Sequence, residues 1–369
     1  MDVITVYTPG HWDVYDSYGL IACQLARHLD RLGVYVNAMA LGDTVVDSQP
    51  EDVRAITERP IRPSLGGILC GYPTTYHKFS PLVPHGPRVA VTMFESSRIP
   101  PGWAEALNEV DVVITPSTFC RDVFRDCGVE TRIVVAPLGL SDVYRPVRRN
   151  GRKPLTFLTW GDRGKRKGAL VAIGAFARAF GEDPAYRLIV KTRALQQQAS
   201  ILNANIDVIS QDMTEEELYD LFCACDVLAF PTKGEGFGLP PREFAATGGV
   251  SIATEWSGTA DDVNLWGLPL AYELEEADWQ GALNLQGLPL GDWARPDIDE
   301  LASLMREVAD NREEYLADAY ERAPDVRDAY TWSAFAETVY ETWKEIAYGH
   351  RDAERAPERG HRRRQHEPA

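Results

Sequence analysis

Short apolar runs alternate with amphipathic stretches along almost the whole chain. DVITVYT (2–8), YVNAMAL (35–41), GGILCGY (66–72), RVAVTMF (88–94), DVVITPS (111–117) and TRIVVAPLG (131–139) each read as a strand. Helical stretches separate them, one from Tyr18 to Leu32 and another over GWAEALNEV (102–110). Region 42–65 lacks clear periodicity and holds several Pro and Gly, which predicts a long connection bordering a site. At SDVYRPVRRNGRKP (141–154) charge, Pro and Gly replace the apolar pattern, as expected of an interdomain linker.

The alternation then restarts. LTFLTWG (155–161), YRLIVKT (186–192), NIDVIS (205–210) and VLAFPT (227–232) predict strands, with helices over 167–180 and 215–225. The second of these helices opens with Thr214 and Glu217 at capping-box spacing, and Leu218, Leu221, Phe222 and Cys225 share one face. TWSAFAETVYETWKEI (331–346) predicts a last helix. The charged, proline-containing stretch after it has little to bury and predicts a disordered tail over 349–369. Its RRR could touch nucleic acid or acidic lipid, but it reads first as a solvated tail. This order of elements predicts an α/β fold with parallel sheets in two domains, 1–142 and 150–330.

Composition narrows the picture further. The chain has 369 residues, 44% of them hydrophobic, which suits two globular domains. No apolar run reaches the about 20 residues that span a bilayer, so no integral membrane association is expected. MDVITVYTPG lacks a basic segment and runs straight into an apolar alternation, unlike a signal peptide. Six scattered cysteines read as reduced thiols, and the expected location is cytoplasmic. The formal net charge is −17; residues 1–150 carry 14 Lys/Arg against 17 Asp/Glu and residues 151–369 carry 24 against 38. Neither half is a basic slab, so charge does not point to nucleic acid.

The chemistry concentrates in PTKGEGFGLPPREFAATGGV (231–250), which places Glu235 and Glu243 around a Gly-rich turn between a strand and a helix. In an open α/β sheet that junction lies at the carboxyl end of a strand, where ligands bind. Gly236 and Gly238 allow a sharp turn and close approach to a ligand, and Pro240 and Pro241 suit a first helical turn. Amides at such a helix start favour an anion, while carboxylates favour neutral hydroxyl groups. A nucleotide sugar offers both. The plainer alternative is that Glu243 complements the helix dipole and Glu235 is a loop charge. A second strand-to-helix junction, WGDRGKRKG (160–168), places Arg163 and Lys167 toward the same crevice, whereas Lys165 and Arg166 read as solvated.

Together these segments resemble the retaining glycosyltransferases of the GT-B fold, glycosyltransferase family 4 in particular. Glu235 and Glu243 within GEGFGLPPRE match the family's E-x7-E signature; Arg163 and Lys167 are similar to its phosphate-binding pair, although Asp162 separates Gly161 from the arginine. VITPSTF (113–119), VVAPLGL (134–140) and the final Trp-containing helix extend the likeness over most of residues 1–348.

The resemblance implies two Rossmann-like domains facing across a cleft, with helix 331–348 crossing back to the first. It implies Glu243 on the ribose hydroxyls, Glu235 on the transferred sugar, and the amides of Gly236, Phe237 and Gly238 near the sugar or diphosphate. Arg163 and Lys167 would neutralise the departing diphosphate, with no metal and no cofactor beyond the nucleoside diphosphate sugar. Gly19 is a weaker donor-side candidate. Many relatives carry a histidine at the carboxyl end of a first-domain strand, where RVAVTM is here followed by Phe94-Glu95 with no histidine; Glu95 is a candidate for the acceptor side or, equally, for a structural role near the next helix. His11 and His77 carry no signal. Asp297-Ile298-Asp299 reads as a helix start, not a metal site. The acceptor stays open among glycan, lipid, protein, small molecule and modified nucleic-acid base. Two other readings compete, a nucleotide-sugar epimerase and a non-catalytic sugar-nucleotide or glycan-binding protein.

Overall fold

A computed structural model describes residues 1–10, 12, 17–41, 49–79, 85–149, 154–161, 165–192, 203–279 and 285–354, with side chains to 349. The first half builds one sheet from β1 (Val3–Thr8), β2 (Tyr35–Ala40), β3 (Gly67–Cys70), β4 (Arg88–Val91), β5 (Val112–Thr115) and β6 (Ile133–Val135), in the order β2-β1-β3-β4-β5-β6. Every pair is parallel. The second sheet comprises β7 (Leu155–Trp160), β8 (Tyr186–Lys191), β9 (Ile206–Ile209), β10 (Val227–Phe230), β11 (Val250–Thr254) and β12 (Gly267–Leu270), ordered β12-β11-β10-β7-β8-β9 and also parallel. Central strands are covered on both faces, so VLAF of β10 and VVIT of β5 are buried throughout. Strand order reverses between β1 and β3, and again between β7 and β10.

All six expected strands of the first half form. Within the expected connection 42–65, Glu51–Thr57 is a helix that buries Val53 and Ile56. It is too short for its period to stand out, although Pro50 followed by Glu51 and Asp52 marks its start. The second sheet gains β11 and β12, and an antiparallel hairpin adds β13 (Tyr272–Glu276) and β14 (Asp292–Pro296). The capping box forms as expected, Thr214 accepting from the Glu217 amide and Glu217 from the Thr214 amide.

Residues 141–149 carry no helix or strand, and Arg149 fastens them to the second half through the carbonyls of Phe222, Cys225 and Thr247. The last helix runs Trp332–Glu354, beyond the expected break at 348, and packs on helix Ser17–Arg31 of the first half. Tyr340 and Tyr348 donate to the two carboxylate oxygens of Asp2 at 2.7 and 2.6 Å. Residues 355–369 of the expected tail lie outside the described residues. No disulfide joins the six cysteines. Among the described residues, no helix is long and apolar enough to cross a membrane.

Candidate active site

A cavity of about 350 Å³ lies between the halves, at the carboxyl ends of β1, β3, β4, β7, β8 and β10. Parallel strands align their carboxyl ends, so loops far apart in sequence converge there, at the strand-order reversal of the second sheet. The loop after β7 delivers Lys167 and the loop after β10 delivers Glu235. Lys167 Nζ donates to both carboxylate oxygens of Glu235, at 2.7 and 2.9 Å. Thr232 Oγ1 adds a bond at 2.9 Å, and the Glu235 amide donates to Ser257 Oγ at 2.9 Å. Burial alone would raise the Glu235 carboxyl, but Lys167 and then Arg166 outweigh it and hold it below the ordinary range.

Arg166 is therefore part of the site, contrary to its reading as a solvated residue. Its guanidinium donates to the Gly234 carbonyl at 2.6 Å and lies 3.3 Å from Glu235 and 3.8 Å from Glu95. Lys165 does point outward, to Asp278 at 2.8 Å. Arg163 and Asp162 lie outside the described residues, as does His11.

The Gly-rich loop is packed tightly against the first half. A Cβ on Gly236 would meet the Met93 side chain at 2.6 Å, and one on Gly234 would strike the Glu95 carbonyl. The Gly236 carbonyl accepts from Ser117 Oγ at 2.8 Å, so the second half's loop is seated on the first half. Gly238 has φ +89°, which fits glycine at this turn. Among the described residues, the amides of Gly236, Phe237 and Gly238 find no acceptor. They stand at the start of helix Leu239–Ala246 and line the cavity, a donor array suited to an anion.

Arg242, fully buried, holds this loop from below. It donates to the carbonyls of Phe237, Gly238 and Gly258 and to Asp262 Oδ1. Its guanidinium lies 4.0, 4.8 and 5.2 Å from the ring centroids of Phe237, Trp266 and Tyr330. Phe237 itself is buried, its ring packed between Arg242 and Tyr330.

Glu243, half-buried on the next turn, also lines the cavity. Burial, and then the nearby Glu215, push its carboxyl up to about 8. Glu95, after β4, is raised first by burial, with Arg166 opposing. Gly19 is buried inside helix Ser17–Arg31; its neighbours Ser17, Tyr18, Leu20 and Ile21 form the wall instead. His77 does not line the cavity.

Several wall residues escaped the sequence reading. Lys191 ends β8, donates to the Gln211 carbonyl at 2.7 Å and lies 5.8 Å from the Trp160 ring. Asp212, Thr214 and Glu215 follow β9, and Tyr72 follows β3. All stand at or after the carboxyl ends of parallel strands, so the carboxyl-end rule could have found them. Asp297 caps helix Ile298–Asp310, accepting from the amides of Asp299 and Glu300 at 2.9 and 3.0 Å.

No protein-family profile matches the chain. A protein of Sulfolobus islandicus filamentous virus (isolate Iceland/Hveragerdi), named "Putative glycosyltransferase 45", is 25% identical over 224 residues, covering 54% of this chain and 62% of that protein. The chain thus spans less than two thirds of that relative's length. Among solved structures, sucrose-phosphate synthase from Thermosynechococcus elongatus superposes with a TM-score of 0.70 at 14% identity, over 95% of this chain and 100% of that one. A glycosyltransferase from Rickettsia africae ESF-5 gives 0.66 at 14%, over 94% and 98%. The E. coli trehalose-6-phosphate structure bound with UDP-2-fluoro glucose gives 0.65 at 12%, over 94% and 99%. At such identities the likeness is one of fold, and the fold is GT-B: two parallel α/β sheets facing across a cleft, with the last helix returning to the first half.

Proposed function

We propose that the chain is a retaining glycosyltransferase, similar to family 4, that takes a nucleoside diphosphate sugar and transfers the sugar to an acceptor hydroxyl. The observation that carries this reading is the convergence of Lys167, Arg166, Glu235 and Glu243 on one cavity beside the amides of Gly236–Gly238. Glu243 accepts hydrogen bonds from the ribose hydroxyls, and Glu235 contacts the transferred sugar while staying bonded to Lys167. The loop amides and the cations Lys167 and Arg166 receive the diphosphate, with Arg163 a further candidate. As the glycosidic bond breaks, the leaving phosphate oxygen gains charge, and these donors bind it more tightly than they bind the ground state. The acceptor hydroxyl attacks from the leaving-group face and its proton passes to that phosphate, which preserves the anomeric configuration. The cations supply the charge that a divalent metal would otherwise bring.

The relatives' names support the class: one is a glycosyltransferase by name and another structure holds a UDP-sugar analogue. A UDP-hexose is therefore the first donor to try, and a cytoplasmic setting accords with the thiols. Among the described residues no histidine lines the cavity, so the epimerase reading finds no imidazole acid–base pair there. The test is release of nucleoside diphosphate from UDP-, GDP- and ADP-sugars in EDTA, with the freed sugar's initial anomer followed by NMR. Retention and EDTA resistance support the reading; an inverted anomer or strict metal dependence refutes those parts of it.

A further inference from the structure

The cavity's two walls differ in charge. Its cations, Arg166, Lys167 and Lys191, all come from the second half, whereas the first half contributes no lysine or arginine among the described residues. What it contributes is one carboxylate, Glu95, and the rings of Tyr18 and Tyr72, backed by buried aromatics. Trp279 of the hairpin loop stacks on Phe94 at 5.2 Å, Phe94 meets Trp103 at 5.0 Å, Trp103 meets Tyr72 at 5.7 Å, and Tyr72 meets Tyr18 at 5.0 Å. Tyr72 is the ring of this series that emerges, 45% exposed, into the cavity wall.

Tyr72 is rigidly presented. Gly71 before it has φ +135°, and a Cβ there would meet Pro9 at 2.5 Å. The Tyr72 carbonyl accepts from the Thr75 amide at 2.9 Å and from Thr75 Oγ1 at 2.7 Å. An exposed ring held this firmly is a platform for the flat apolar face of a ligand. Glu95 supplies the polar partner: its carboxylate faces the cavity, and Arg166 at 3.8 Å is too distant to saturate it.

Resting on the glycosyltransferase reading, we infer that the acceptor is a neutral saccharide, one ring stacked on Tyr72 and one hydroxyl hydrogen-bonded to Glu95. A phosphorylated sugar or a nucleic acid would place anionic charge against a wall whose described residues bring a carboxylate and no cation of their own.

Donor binding is measured first, by calorimetry with UDP- and GDP-sugars, so that failure of the donor reading shows separately. Acceptor binding is then read by saturation-transfer NMR, and transfer by KM, with neutral methyl glycosides and disaccharides, glucose 6-phosphate, and a single-stranded oligonucleotide containing 5-hydroxymethylcytosine. A neutral saccharide should bind and accept. Tyr72→Ala should raise its KM roughly tenfold with donor affinity unchanged, Tyr72→Phe should retain the wild-type KM, and Glu95→Gln should raise the acceptor KM severalfold with kcat little changed. The inference is overturned if donor binds but no neutral saccharide does, if the phosphorylated sugar or the oligonucleotide is the better acceptor, or if Tyr72→Ala leaves the KM unchanged.

Discussion

Replacing Glu243 by glutamine should stabilise the protein at neutral pH while weakening its hold on the donor. The Glu243 carboxyl is pushed from an ordinary value of 4.5 up to about 8 by burial and by Glu215. Its folded-state pKa is thus above the unfolded one, so the folded state binds the extra proton. This contribution is fully present below pH 4.5 and is lost as pH rises through about 8. At pH 7 the unfolded chain has released the proton and the native site has not. At ~1.36 kcal/mol per pH unit this costs up to about 3 kcal/mol, and partial exposure reduces it to about 1–3 kcal/mol. Glutamine has no proton to retain, so thermal unfolding should show the variant a few degrees more stable at pH 7–8 and equal to wild type near pH 4. Donor binding should move the other way. Ribose hydroxyls need a carboxylate acceptor, and at pH 7 only about a tenth of Glu243 is ionised. Wild-type affinity for a nucleoside diphosphate should therefore rise roughly tenfold from pH 7 to 9, and that of Glu243→Gln should stay flat. Unfolding curves that keep the same offset from wild type at pH 4 and pH 8 would refute the reasoning.

Other substitutions probe the scaffold around the site. Arg242→Met leaves the carbonyls of Phe237, Gly238 and Gly258 without this donor, while Asp262 keeps the donors Trp266 Nε1 and Tyr330; denaturant unfolding should show a loss of about 2–4 kcal/mol, and calorimetry weaker donor binding. Lys167→Met should cost about 1–3 kcal/mol, less than the usual loss for a broken buried pair because Arg166 and Thr232 still reach Glu235. Adding Glu235→Gln should restore much of that stability but none of the donor turnover, a split that paired unfolding and activity assays would reveal. A Cβ on Gly66 would meet the Pro87 carbonyl at 2.6 Å and Trp343 Nε1 at 2.8 Å. Gly66→Ala should therefore lower stability by about 1–3 kcal/mol and loosen the last helix, read by hydrogen exchange over 332–349.

The first sheet was legible because its strands are apolar runs bounded by turns, and the Thr214–Glu217 box because capping is local chemistry. The glutamates and Lys167 were legible because a strand, a Gly-rich turn and a helix give away a crevice edge. What escaped depended on distant partners. Arg166 lies in the charged run GKRK, and nothing local tells which side chain turns inward; its partners Gly234, Glu235 and Glu95 are about 70 residues away in sequence. Arg242 reads as a surface helix residue until Trp266 and Tyr330 close around it. β12, GLPL, contains both glycine and proline and forms because β11 offers it a parallel edge. Gly234 and Gly236 also answer a constraint that no local pattern shows, because the Glu95 carbonyl and the Met93 side chain of the other half leave no room for a Cβ.

On the proposed function, a nucleoside diphosphate sits where Lys167, Glu243 and the Gly236–Gly238 loop converge. Calorimetric titration of UDP and GDP into wild type, Lys167→Met and Glu243→Gln, in EDTA at pH 8.5, tests it most directly. Wild type should show saturable 1:1 binding of one nucleotide, weakened at least about tenfold in each folded variant. Binding that both variants retain, or no binding of either nucleotide by the wild-type protein, would contradict it.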